Sequence, residues 1–493
     1  MSISHSLTPS LIVTVSIICL GALQFGYHMA ELNSPEAIIT CRVSNPGNVP
    51  YSESWFGKHG FVRCLPLDPN QVGEITSIFS LGGLIGSFFV GNISDRIGRK
   101  RTGLCHCVIF LVGSTLNAFA NTYFTILTGR FIAGIGAGAA LAIGPVYINE
   151  VAPSEVKGLL GSMNQVSVNI GILLTQTLAL FWCDNNNWRL LLLTGSVLSF
   201  INFIAILFFV EESPMWLFNN GYKSKAYQTL HNLRGGEYIH ARNEVNSWSP
   251  HDSVSNSEES DELLSNGVED ESNLLDTTST PAISLATYLK DPEYQNSRVV
   301  STGILIAQQF CGINSIIFYG VSVLVSVFPD YAILINCLIS IVNVVVTFAA
   351  APLIDKLGRK PLLLSSVTVM GLSSILMGIG IITGSPVVSI IGTFSYVSFF
   401  AIGLGPIPFL LVSEVTQPKV KAVAQSWGTS CNWFATGIVG LVFPILKSSW
   451  IGGGVYFIFA FFCVATYWFI KNFIPETKGS KSYDEVWGQP RID

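Results

Sequence analysis

Two charged motifs each occur twice in this chain, and every copy combines acids with bases. The sequence DRIGRK at 95–100 returns as DKLGRK at 355–360, and EVAPSEVK at 150–157 returns as EVTQPKVK at 414–421. Each motif follows a long apolar run, which places its charges at helix ends where they can pair between helices. Such pairs bias a helix bundle towards one of two arrangements and break when that end opens. The chemistry that these residues predict is that of a gate.

We expect this gate on the cytosolic side, and the alternative is simple anchoring of short inner loops by basic residues. Glu212 and Glu476, which follow the sixth and the twelfth apolar runs, are also predicted to belong to the gate. The predicted gate residues are Asp95, Arg99, Lys100, Glu150, Lys157, Glu212, Asp355, Arg359, Lys360, Glu414, Lys421 and Glu476.

Neutral amides form a second group, inside otherwise apolar runs. An amide offers a donor and an acceptor together, as a hydroxyl does, and polar side chains at membrane depth tend to face a bundle interior or a water-filled cavity. Trp433 adds a flat apolar face for the C–H groups of a sugar ring. We therefore predict an uncharged, polyhydroxylated ligand; for any single amide the alternative is an interhelical hydrogen bond. The amides are Gln165, Gln308, Gln309, Asn314, Asn343 and Asn432.

The elements that must position these residues follow from composition. Of 493 residues, 49% are hydrophobic and 12% charged, with a mean hydropathy of +0.51, whereas a soluble chain is about a quarter charged. The sequence predicts an all-α membrane protein with twelve transmembrane helices. The apolar runs are 10–31, 71–92, 104–121, 123–147, 160–181, 189–210, 298–322, 331–354, 361–382, 387–412, 424–446 and 451–474.

The repeated motifs divide these runs into two six-helix halves, an arrangement typical of transporters. We expect an N-terminal half at 1–215, a cytosolic linker at 216–297, a C-terminal half at 298–475 and a cytosolic tail at 476–493. With both termini inside, most of the lysines and arginines fall in cytosolic segments, as the positive-inside rule requires. The first run has no cleavable signal pattern and is predicted to be a retained helix.

The linker is acidic and serine-rich, a composition that predicts partial disorder. Two segments in it place an acid four positions before a leucine pair and resemble sorting signals read by vesicle adaptors. The alternative is chance within an acidic stretch. The segments are Glu259 with Leu263 and Leu264, and Asp270 with Leu274 and Leu275.

A second long loop, 32–70, is polar and aromatic and is expected to face the outside or a lumen. Cys41 and Cys64 in this loop can form a disulfide if the compartment is oxidising, which would stabilise the fold by about 3 kcal/mol. The other eight cysteines show no metal-ligand spacing and are predicted to be packing residues. We predict no metal and no cofactor.

Seven short motifs then occur in an order that resembles one family. They are QFGY at 24–27, GRF at 129–131, YINEVAP at 147–153, ESP at 212–214, QQFCGIN at 308–314, GPIP at 405–408 and PETKG at 475–479. The chain resembles the sugar porter family of the major facilitator superfamily, close in style to facilitative glucose transporters, over nearly its whole length outside 32–70 and 220–297. The resemblance implies that the amides and Trp433 bind a hexose and that the charged repeats form the family's inner gate.

Several positions depart from the family pattern. Phe409, which we include in the predicted substrate site, follows Pro408 where glucose transporters usually have tryptophan. Ala401 occupies a position usually held by glutamate, and Met215 one usually held by arginine. Glucose as the substrate therefore stays open. The interruption at 403–408 is predicted to be either a hinge or a static kink.

By the same resemblance, His28 stands where proton symporters have aspartate and uniporters asparagine. Arg130 aligns with the arginine that pairs with that aspartate, and Glu31 lies on the same helix face as His28. Because histidine titrates near neutral pH, the three residues can bind and release a proton. The alternative is a hydrogen-bonded histidine beside a structural ion pair.

The leading hypothesis is facilitated diffusion of a hexose or related polyol by alternating access. The rivals are proton-coupled transport of the same substrates, and a non-transporting sensor or trafficking factor with the same fold. We expect no enzyme, because no phosphate-binding glycine loop, metal-ligand spacing or nucleophile arrangement is present. We also expect no nucleic-acid partner. The long loop and acidic linker resemble divergent fungal members of vacuolar or endosomal membranes, and the plasma membrane is the other possibility.

Overall fold

A computed structural model describes residues 7–45, 47, 49–153, 156–235, 238–246, 248, 283–325, 327–328, 331–479 and 483–488. Within these residues the regular structure is helical and contains no strand. Both predicted sorting segments of the linker, and the side chain of Asp355, lie outside what the structure describes.

Six long helices form each half, and two helices of the second half are interrupted. The first half contains α1 Pro9–Ala30, α2 Pro69–Ile97, α3 Arg99–Ala118, α4 Tyr123–Val151, α5 Lys157–Trp182 and α6 Trp188–Phe209. The second half contains α7 Gln295–Phe310 continuing as Ile313–Val325, α8 Ala332–Leu357, α9 Arg359–Thr383, α10 Pro386–Phe399 with a π-helical turn Phe400–Leu404 and a last segment Ile407–Glu414, α11 Lys421–Ser448 and α12 Val455–Phe473. Short helices are Glu36–Ile39, Trp55–Lys58, Pro214–Asn219, Lys223–Arg234, Tyr238–Asn246, Leu285–Lys290 and Tyr483–Trp487.

Eleven stretches of helix in the described part of the chain are long and apolar enough to cross a membrane. The remaining long helix, α3, has 20 residues and begins with three basic residues. With α3 in third place, the helices follow the order of the twelve predicted spans. The boundaries differ by up to five residues, most between α2 and α3, because α2 runs on to Ile97 and α3 already begins at Arg99.

Single glycines make the turns that carry the first charged motif of each half. Gly98 between α2 and α3 has φ 93°, and Gly358 between α8 and α9 has φ 94°. This left-handed region is readily available to glycine alone, so one residue suffices to reverse the chain. The following arginines, Arg99 and Arg359, are thereby held in the first turn of α3 and α9.

The helices pack in two equivalent sets. In the first half α1 packs against α5, α2 against α4 and α3 against α6, and in the second half α7 packs against α11, α8 against α10 and α9 against α12. The two halves meet along α2 with α11 and α5 with α8, pairs that the same duplication relates. Polar residues of these helices therefore lie where the halves face each other.

The long loop is fastened to one end of the first half, which we call the loop end. Cys41 and Cys64 are joined as a disulfide with Cα atoms 5.4 Å apart. The Arg189 guanidinium at the start of α6 donates to the carbonyl oxygen of Ala118 at 2.9 Å and to that of Val62 at 2.9 Å. One buried cation thus holds the loop against the ends of α3 and α6.

Close packing of α2 and α4 depends on Gly138. A Cβ added there would collide with the carbonyl oxygen of Gly83 on α2, whereas a Cβ at Gly73, also on α2, would meet open space. We expect Gly138→Ala to destabilise the protein by about 1–3 kcal/mol through overpacking, measured as thermal unfolding of the detergent-solubilised protein. Gly73→Ala is the matched control and should be neutral or slightly stabilising. Equal unfolding temperatures for the two variants would contradict this account.

Candidate functional site

The end of the bundle opposite the loop, which we call the charged end, holds the repeated motifs. In the first half, Arg99 bonds Glu150 through two nitrogens at 2.8 and 3.0 Å. The same guanidinium donates to Asp95 at 2.9 Å. Glu212 accepts the backbone N–H of Arg99 at 2.6 Å and that of Lys100 at 3.1 Å. Burial raises the pKa of Glu212, and these N–H donors act against that rise.

The second half repeats this arrangement. Arg359 bonds Glu414 through two nitrogens at 2.7 and 3.1 Å. Glu476 accepts the backbone N–H of Arg359 at 2.9 Å and that of Lys360 at 3.0 Å. The Thr477 hydroxyl also donates to Glu414, at 2.6 Å. Each arginine–glutamate pair thus joins helices within one half.

A contact between the halves at the charged end goes through an amide that the sequence analysis missed. Asn149 donates to the Ser413 hydroxyl at 2.8 Å and accepts from the Lys421 ammonium at 3.2 Å. Lys157 and Phe409 line a small cavity together with Asn149. The structure therefore places Phe409, predicted as a substrate residue, beside the predicted gate.

The amides of the second half form a chain of hydrogen bonds. The Gln308 carbonyl oxygen accepts from Asn432 at 2.8 Å and from Gln309 at 3.1 Å. Asn314 in turn donates to the Gln309 carbonyl oxygen. All four side chains are buried. Residues from α7 and α11 that are far apart in sequence are thereby brought to one point.

The Gln308 amide also forms hydrogen bonds to backbone carbonyls where α10 is interrupted. It donates to the carbonyl oxygen of Leu404 at 2.8 Å and to that of Gly405 at 3.2 Å. Pro408 lies four residues after Leu404 and has no N–H to satisfy that carbonyl within the helix. Any hinge motion at 403–408 must therefore change a bond made by Gln308.

Amides also join the halves directly. Gln165 on α5 donates to Asn169 at 3.2 Å. Asn169 donates to Asn343 at 3.1 Å and to the Thr347 hydroxyl at 2.8 Å, both on α8. Asn169 was missed by the sequence analysis, although its position in an apolar run gives the same signal as that of Gln165.

Trp433 lies where α11 faces the first half. Its side chain is buried, and its ring meets Phe25 and Phe79 edge-on, with centroids 5.4 and 5.5 Å apart. Within the described residues its indole N–H has no hydrogen-bond partner, and the same holds for the Gln425 amide and the Thr429 hydroxyl. At spacings of four residues these groups share one face of α11. Unpaired buried groups of this kind indicate a place for water or a ligand.

The predicted titratable cluster is assembled in the first half. The carboxylate of Glu31 bonds His28 Nδ1 at 2.9 Å and Arg130 Nη1 at 2.7 Å. His28 Nε2 lies 3.1 Å from the Ser114 hydroxyl, and Arg130 stacks 4.2 Å above the Phe79 ring. The geometry is compatible both with proton binding and with a structural ion pair.

At the loop end Asn33 joins the halves. Asn33, just after α1, donates to the carbonyl oxygen of Ile317 at 2.8 Å and accepts the N–H of Val321 at 3.3 Å. Both partners belong to the second segment of α7. Sequence analysis missed Asn33 because it follows an apolar run and does not lie within one.

Two equivalent six-helix halves with polar groups between them define a multi-pass membrane transporter. The fold is that of the major facilitator superfamily: a structure of the proton:xylose symporter XylE matches with a TM-score of 0.76 at 23% identity, covering 97% of this chain and 98% of that one.

The family model described as "Sugar (and other) transporter" matches residues 14–487. The probable metabolite transport protein YBR241C of Saccharomyces cerevisiae is 46% identical, over 98% of this chain and 96% of that protein. Vacuolar protein sorting-associated protein 73 of the same yeast is 37% identical, over 97% and 96%. The chain belongs to the sugar porter family of the major facilitator superfamily, which confirms the predicted resemblance and fold class.

The Asn149 bridge predicts a local effect at the charged end. Asn149→Ala removes two hydrogen bonds between the halves, each worth about 0.5–1.5 kcal/mol, so amide hydrogen exchange of residues 410–421 should quicken roughly tenfold. Asn220→Ala, which removes a bond to Trp216 within one half, is the matched control. Unchanged exchange in both variants would show that Asn149 does not hold the halves together.

Proposed function

We propose that the protein moves a neutral sugar, a hexose or a related polyol, across a membrane by alternating access and facilitated diffusion. Membership of the sugar porter family supports the substrate class. The observation that carries the proposal is the face of α11 with Gln425, Thr429 and Trp433, which is buried against the opposite half and has polar groups without a protein partner among the described residues. Such a face suits hydroxyl groups.

The buried amides are the proposed binding groups, in particular Gln308 and Asn432. In the present conformation they bond one another and backbone carbonyls. Because a neutral hydrogen bond contributes only about 0.5–1.5 kcal/mol net, replacing an amide partner by a sugar hydroxyl changes the free energy little. A sugar can therefore enter without ionic attraction, and its release needs no charge separation.

The charged end is the proposed cytosolic gate, with both termini on the same side. The bidentate Arg99–Glu150 and Arg359–Glu414 pairs hold the helix ends of each half together. Contacts such as that of Asn149 with Lys421 cross between the halves and are the ones to break on opening. We further propose a vacuolar or endosomal membrane, since a 37% identical relative is named for vacuolar sorting. We also propose that vesicle adaptors bind the two acidic leucine-pair segments of the linker, because the same relative is named for vacuolar sorting.

Uptake by purified protein in proteoliposomes, across a panel of hexoses, pentoses and inositol, tests the function. Gln308→Ala and Asn432→Ala should lower flux about tenfold or more, the effect of losing one or two hydrogen bonds to the moving sugar. Asn472→Ala is the control, because that amide bonds the carbonyl oxygen of Trp468 within α12.

Unchanged flux in both variants would overturn the site assignment. If no sugar in the panel is carried by well-folded protein, the non-transporting sensor or trafficking factor becomes the better hypothesis. We do not propose an enzymatic activity.

Proton coupling is the second candidate, favoured by the contact of His28 with Glu31. For facilitated diffusion we expect labelled sugar to reach the external concentration and no more, with or without an imposed proton gradient. Accumulation that requires the gradient, and that His28→Ala abolishes while the exposed-loop control His59→Ala retains it, would establish symport instead.

A further inference from the structure

A cavity of about 580 Å³ lies at the loop end of the first half, away from the amides between the halves. This volume is within the roughly 300–1,000 Å³ of small-molecule sites. The long loop forms one wall of the cavity, and the ends of α3 and α6 form the other. Residues that matter for the argument are Glu53, Trp55, Phe119, Asn187, Leu190 and Leu193.

The cavity has a fixed frame. The Cys41–Cys64 disulfide closes the loop, and the Trp188 indole N–H donates to the carbonyl oxygen of Arg63 at 2.9 Å. Arg189 beside it bonds three backbone carbonyls and so ties the loop to α3. A wall held in this way needs little ordering when a ligand binds.

The apolar wall continues into an exposed apolar stripe along α6. Leu190 and Leu193 line the cavity on α6. Val197 and Ile201 continue the same helix face at spacings of four residues, and they are 52% and 53% exposed. In a membrane helix, such an exposed apolar stripe lies against hydrocarbon. A ligand can therefore reach the cavity sideways from the bilayer.

The polar rim offers hydrogen-bond acceptors. The Asn186 amide nitrogen donates to the carbonyl oxygen of Val49 at 2.8 Å, and that of Asn187 donates to Asp184 at 2.8 Å. Their carbonyl oxygens are left for a ligand, beside the exposed carboxylate of Glu53. No lysine, arginine or histidine is among the described residues that line the cavity. The rim thus suits a hydroxyl donor and repels a phosphate.

The aromatic wall is flat. Trp55 stacks on His59 with ring centroids 4.2 Å apart, yet its side chain stays 58% exposed. Tryptophan is typical of the boundary between hydrocarbon and headgroups. With Phe119 and the two leucines it offers planar apolar surface to a rigid ring system.

We propose that this cavity binds a membrane sterol. The sterol hydroxyl donates to one acceptor of the rim, at Glu53 or at Asn187, and the fused rings lie between Trp55 and the leucines of α6. A glycerophospholipid fits less well, because its phosphate would approach the Glu53 carboxylate, and no cationic side chain is among the described residues that line the cavity.

Photolabelling of the full-length protein in lipid nanodiscs tests this, with a diazirine-bearing sterol as the probe and peptide mass spectrometry as the readout. We expect labelling of residues 49–56 and 186–193, reduced at least fivefold by excess unlabelled sterol. Leu193→Trp, which fills the cavity, should reduce labelling by a similar factor. Ile201→Trp, on the same stripe beyond the cavity, is the matched control and should leave it unchanged.

If Leu193→Trp fails to fold, Glu53→Lys at the exposed rim serves instead, and it should lower sterol labelling severalfold. The proposal is overturned if the sterol labels all lipid-facing helices evenly. It is also overturned if a diazirine phosphatidylcholine labels the same peptides and is displaced equally well by unlabelled phosphatidylcholine.

Discussion

Hydrocarbon contains no water, so charges and amides at membrane depth are stable only when they bond inside the protein or face a cavity that admits water or a ligand. This constraint organises the molecule. Arg130 and Glu31 are each 1% exposed and bond each other, and Arg99 lies between Asp95 and Glu150. Removing one member of a buried pair leaves the other charge buried without a partner, which destabilises the folded protein by about 3–5 kcal/mol. The polar residues therefore fix which helices lie side by side.

At the charged end, both halves pair a buried arginine with a glutamate at equivalent positions. Each half uses a glycine turn to place an arginine, a glutamate on the fourth or tenth helix to pair with it, and a second glutamate after the last helix to accept the freed N–H groups. The halves diverge in their interiors. The second half has interrupted helices α7 and α10, and Gln308 covers the carbonyls that the break in α10 leaves open. Interrupted helices are typical of the binding region of transporters.

The strength of the contacts differs between the ends and the middle. Bidentate ion pairs at the charged end join helices of one half, so each half can move as a unit. Neutral amides such as Asn169 and Asn343 join the halves, and these bonds exchange partners at low cost. A bundle with stiff halves and exchangeable contacts between them is suited to alternating access. The loop end adds a separate feature, a cavity framed by the Cys41–Cys64 disulfide and by the bonds of Arg189.

The sequence by itself determined the number and order of the helices, the two halves and the family, because apolar length and repeated motifs are local signals. It also predicted the His28, Glu31 and Arg130 cluster, whose first two members share a helix face. It did not determine which helices face each other. Phe409 lies beside Asn149, and Asn33 and Asn169 join the halves, because those contacts depend on how helices distant in sequence pack. The period of one helix defines its own faces, and only the tertiary structure decides which partner each face meets.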